Sequence, residues 1–231
     1  MNRRVALAGG AAALALAAGR KAPNDPETAM RRAARTDQFD WKAFLTEWSQ
    51  NAVPLLRRLP AHALSREESA AVDRGSLLEA PAGAAEIAGL EATIGRAIPP
   101  SYRRFLEASN GFAGLFHTGS RLLPAREVRL LADRRPPWLI EWETLTNVRV
   151  QPSKLRPLPG SLLPRMLRLD DGPEPFNDAT LLDPSETDAA GDWRAVAFSD
   201  DGGGATTWSS FRGFMQSARI NAIAALRTRA A

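Results

Sequence analysis

The sequence contains no cysteine. That removes disulfides, thiolate nucleophiles and cysteine-ligated zinc together. Only two histidines occur, His62 and His117, each standing alone, so there is no histidine spacing on which a zinc site would rest. Three of the 30 basic residues are lysine (Lys21, Lys42, Lys154). The arginine- and alanine-rich bias reads as base composition, not as a footprint for nucleic acid. No apolar run reaches the roughly 20 residues of a membrane-spanning helix. The serines lack a Gly-x-Ser-x-Gly elbow. The stretch Gly202 to Thr207 lacks the lysine and fixed spacing of a phosphate-binding loop and reads as a tight turn between a strand and a helix. Asp170-Asp171-Gly172 and Asp200-Asp201-Gly202 lack the alternating carboxylates and closing glutamate of a calcium loop. The residues therefore call for no metal, no cofactor and no catalytic set.

What is present suits a folded domain with extensions. The 231 residues are 44% hydrophobic and 24% charged, enough to bury a core without staples. The net charge of +4 is unevenly placed. Between Asp170 and Asp201 there are ten acids and one base, Arg194, so this segment is −9 and the rest of the chain +13. Two readings stand side by side: solvated turns rich in Asp and Pro, or a polarised binding surface. For the second, the candidate contact residues are Asp170, Asp171, Glu174, Asp178, Glu186 and Asp188.

The N-terminus carries Arg3 and Arg4 ahead of a short Ala/Leu/Val run, the pattern of a secretory leader. Arg20 stands where a lipidated cysteine would be. The protein is exported if residues 1–19 act as a signal, and cytoplasmic if translation begins at Met30. Residues 1–29 are read as leader and linker.

Periodicity then places helices. Trp41, Phe44, Leu45 and Trp48 recur at i, i+3, i+4, i+7, with Asp40 as cap and Pro54 as an interruption. Ser65 and Glu68 form a capping-box pair. Ile87, Leu90 and Ile94 mark the next stripe, stopped by Gly95. Ile98-Pro99-Pro100 is a stiff link, with Pro100 suited to open a helix that carries Tyr102, Phe105 and Leu106 to a stop at Asn110-Gly111. Beyond Gly111, short apolar runs read as strands: Leu115-Phe116, Leu122-Leu123, Trp138 to Trp142, Val148 to Val150, Met166 to Leu169, Thr180 to Leu182 and Ala195 to Phe198. Ala125 to Leu131 reads as a helical turn. A closing helix follows Ser209 or Ser210, with Phe211, Phe214, Met215 and Ala218 on one face.

Two blocks of residues carry a resemblance. Glu86-Ile87, Leu90-Glu91, Ile94-Gly95, Ile98-Pro99, Tyr102-Arg103, Phe105-Leu106 and Asn110-Gly111 form the first. Leu181 to Pro184, Gly191-Asp192-Trp193, Ser209 to Phe211 and Phe214-Met215 form the second. In this order they resemble the SUKH superfamily of Smi/Knr-type cell-wall synthesis regulators and bacterial toxin-immunity proteins. The resemblance spans residues 80–220. Ile98 replaces the usual leucine, and Pro136 to Pro164 has no counterpart. It implies an α+β domain, an antiparallel or mixed sheet flanked by helices, with residues 30–79 as an extra helical extension and 221–231 as the end of the last helix. It further implies a protein without catalytic activity that binds a protein partner. The expected mode is occlusion of a cognate toxin, with a basic nuclease as the partner that the acids would suit, and neither nucleic acid binding nor stable membrane insertion. The alternatives are a regulatory scaffold of the cell-wall type and an exported enzyme.

Overall fold

A computed structural model describes residues 39–113, 115, 121–144, 148–150, 157–171, 178–199 and 204–231. The leader and linker, His117, Glu174 and residues 200–203 lie outside these.

The first helix, α1, spans Trp41–Leu56. Asp40 caps it by accepting a hydrogen bond from the Ala43 amide at 2.9 Å, which satisfies one of the amides that helix geometry orphans. Its buried stripe is Trp41, Leu45, Trp48 and Ala52. Pro54 does not interrupt the helix but sits in its last turn, so its missing N–H removes a single bond near the end of the ladder, and the helix ends at Leu56. α2 (Arg66–Arg74) opens on the reciprocal Ser65–Glu68 box. α3 (Ala84–Ile94) ends at Gly95, whose φ of +70° is the left-handed stop. α4 (Pro100–Ala108) begins on a proline. The last helix, here α7, covers Phe211–Arg229. Ser210, not Ser209, caps it by accepting from the Gly213 amide.

Six strands form one mixed sheet: β1 (Arg129–Leu130), β2 (Arg149–Val150), β3 (Leu167–Arg168), β4 (Ala179–Thr187), β5 (Trp193–Ser199) and β6 (Gly204–Trp208). Their spatial order is β1-β3-β4-β5-β6-β2, antiparallel throughout except for the parallel β6–β2 edge. The fold is α+β, as the order of helices and strands implies. Alternation along β4 and β5 sends successive side chains to opposite faces. Leu182, Ala195 and Trp193 face a large core made with α1, α3, α4 and α7. Ala179, Leu181, Val196 and Phe198 face a smaller one.

Three expectations are corrected. Trp138 to Trp142 is a helix, α6 (Pro137–Glu143), following a one-turn α5 (Leu131–Arg134). Pro137 opens α6, and five residues with Glu141 among four apolar ones are too few for periodicity to separate strand from helix. Leu122 makes isolated bridges to Phe112 and Asp170 and belongs to no strand. Of the stretch Gly202 to Thr207 expected as a turn, Gly202 and Gly203 lie outside the described residues, and the rest belongs to strand β6 (Gly204–Trp208). Glycine is tolerated there because Gly204 starts the strand, opposite Ser199.

The helical region before residue 80 is not peripheral. Trp41 stacks on Phe211 at 5.7 Å between ring centres and meets Phe105 edge-on at 5.8 Å. α1 therefore belongs to the same core as α4 and α7.

Candidate binding surface

The six acidic candidates do not share one surface. β4 separates them. Asp170, Asp171 and Asp178 lie where β3 leads to β4, whereas Glu186 and Asp188 lie at the far end of β4, before β5. Eight residues of extended chain between Asp178 and Glu186 span about 26 Å. Asp170 leaves the set altogether. It is 2% exposed, accepts the Thr180 amide at 2.6 Å and faces the Arg168 guanidinium at 3.3 Å. Burial pushes its carboxyl above the usual carboxylate range despite these partners. Asp188 organises the β4–β5 turn, accepting the amides of Ala190 and Asp192. Glu186 lies 3.3 Å from Arg194. Two further acids of the segment are buried: Asp183 against Arg194, and Asp192, which accepts the Ser101 amide at 2.7 Å and so ties the turn to the start of α4.

The residues that carry the family resemblance form one connected frame. Glu86 accepts the Gly83 amide with one oxygen and the Asn110 side-chain amide with the other. The Asn110 side-chain oxygen, Oδ1, accepts the Ala125 amide at 2.7 Å. Glu91 accepts the Ile98 amide at 2.9 Å and pairs with Arg103, which fixes the proline link against both helices it joins. Tyr102 is fully buried among Phe105 and Phe211, and burial raises its hydroxyl far above the ordinary tyrosine value. Gly111 has φ +113°, and a Cβ there would lie 3.0 Å from the Leu122 carbonyl oxygen. Only glycine fits that turn.

This frame borders a polar cleft of about 420 Å³ between α2 and the Asn110–Ala113 turn. Its charged walls are Arg66, Glu67, Arg74, Glu79, Arg121 and Arg126. Arg74 pairs with Glu79 at 2.8 Å. Arg121 bridges Asp171 at 2.7 Å and Glu127 at 3.0 Å. Asp171 thereby connects the acid end of the β3–β4 region to the cleft. These charged groups are a third or more exposed, so their pairing contributes little to stability. The arginines were not singled out by sequence reading, because they are scattered over 60 residues among 27 arginines. Only folding brings α2 and the segment after Arg121 together.

Among the described residues, no group of three His, Asp or Glu side chains is placed to hold a metal ion, and no helix is long and apolar enough to cross a membrane. No family model matches the chain, and no curated protein matches it in sequence.

Proposed function

We propose that this chain is a binding protein without catalytic activity, of the SUKH type, that neutralises a cognate toxin by occlusion. The observation that carries the reading is the polar cleft lying against the Asn110–Gly111 turn. It supports recognition because it concentrates charged side chains that do little for stability at the point where the family-like frame meets the surface. The arrangement of α3, the proline link, α4, an antiparallel run of strands and a closing helix supports the same reading.

The docking surface in this proposal is the cleft together with Asp171, which pairs with Arg121 in its wall, and the charge of Glu174 and Asp178 from the same acidic stretch of sequence adds to its steering. A basic partner is steered by these acids, while the arginines pair with acids at the edge of its contact patch. Glu186 and Asp188 lie too far along β4 to join a compact contact.

The test is co-expression with the product of the gene directly upstream. Survival of the host and recovery of a stable complex are the expected results. Neutralising Asp171→Asn, Glu174→Gln and Asp178→Asn together is expected to slow association about 10-fold at low salt and to flatten its salt dependence. An unprotected host with no complex overturns the proposal. An unchanged association rate overturns the role of the acids.

A further inference from the structure

A second cavity shares no lining residue with the polar cleft. It is a groove of about 390 Å³ bordered by the end of α3, β1 and the middle of β4, within the range of small-ligand sites. Its apolar walls are Ile94, Leu130, Leu162, Pro164, Pro184 and Trp193. A bulge in β4 opens it. Asp183 pairs with Arg194 and Thr187 with Trp193, so Pro184, Ser185 and Glu186 have no partner across the ladder and arch away from β5. Such bulges re-aim side chains beside sites.

The polar groups are few and converge. Asp183 in the wall is 1% exposed and fully occupied, accepting from Arg194 and from the amide and hydroxyl of Ser185. Arg194 stands between Asp183 and Glu186, which leaves one negative charge there. Arg96 and Arg165, both exposed lining residues, outweigh it by one. Arg96 lies over the Trp193 ring at 5.7 Å. Arg165 has no ion pair among the described residues.

We infer that this groove is a binding site for a small amphipathic monoanion, an apolar body bearing one carboxylate. The apolar walls and the Trp193 face take the body. The carboxylate lies between Arg96 and Arg165, where charge-assisted hydrogen bonds reward a single negative charge. This inference does not depend on the toxin reading.

Calorimetric titration of the full chain with octanoate and with octylamine, at matched ionic strength and pH 7, tests it. Octanoate is expected to saturate one site at least about 10-fold more tightly than octylamine, the effect of one charge-assisted contact. Arg165→Gln, a change at an exposed position, is expected to weaken octanoate about 5- to 10-fold and not to weaken octylamine, whose repulsion it lessens. Ala132→Trp, which fills the groove from α5, is expected to remove octanoate binding. Equal binding of the two ligands, no saturable octanoate binding, or an unchanged octanoate affinity in Arg165→Gln overturns the inference.

Discussion

The two faces of the sheet are held by different means. On one face, α1, α4 and α7 interlock Trp41, Phe44, Trp48, Tyr102, Phe105, Phe211 and Phe214 in a continuous aromatic array. On the other, the cover is the short α6, the one-turn α5 and a six-residue 3₁₀ turn at Gly160–Arg165. Its aromatic content is Trp138 and Trp142 against Phe198. Long capped helices bury their stripes without gaps. Short irregular pieces meet a bulged strand at the border of the two faces, and the groove beside Pro184 lies there, walled by Ile94, Leu130 and Trp193 from the first face and by Leu162 from the second. The regular face supplies stability, and the border where the irregular pieces meet it leaves room for a ligand.

The sharpest break of this comparison is a matched pair of truncations. Phe211→Ala, at a site with no exposure, is expected to cost about 3–5 kcal/mol in urea unfolding. Trp138→Ala, at 7% exposure under the thinner layer, is expected to cost less, because that layer collapses more readily onto the space left. The reverse order defeats the comparison.

Next comes the frame that joins the aromatic face to the cleft. Asn110→Ala strands the buried Ala125 amide and is expected to cost about 1–3 kcal/mol. Asn110→Asp is expected to cost at least as much at pH 7, since it sets a carboxylate against Glu86, and to recover on mild acidification. Denaturant titrations at two pH values check both.

The smallest effect concerns the edge of the sheet. Asp170→Asn keeps an acceptor for the Thr180 amide and is expected to change stability by about 1 kcal/mol or less at pH 7. Its pH dependence is the sharper measurement. Burial raises the folded-state pKa of Asp170 above its unfolded value. The folded protein therefore binds the proton more tightly, and ionisation of Asp170 costs stability above that raised value. Lowering the pH through it relieves the cost, so the wild type is expected to gain on Asp170→Asn as acid is added. A constant difference between the two across the range breaks the account of Asp170 as a buried carboxyl.

Much of the helical face is legible in the sequence. The stripes at Trp41 to Trp48 and Ile87 to Ile94, the caps Asp40 and Ser65, the stop at Gly95 and the opening Pro100 are local signals, because capping and periodicity act within a turn or two. The other face is not. Trp138 to Trp142 folds as a helix although its run is too short to show a period, and Leu122 bridges without becoming a strand. The acidic segment is legible as a charge excess, but its division by β4 depends on register. The partnerships of Asp170 with Thr180, Asp183 with Arg194 and Asp192 with Ser101 depend on packing between residues as far as 91 positions apart.

By itself the sequence determined the helices of one face, their caps and stops, the α+β class and the absence of cysteine chemistry, since each follows from composition or from interactions within a few residues. Only the tertiary structure decided which acids are buried, where the arginines of the cleft meet, and that a bulge in β4 opens a groove under Trp193. These are outcomes of long-range pairing, and no local rule carries the register of one strand against another.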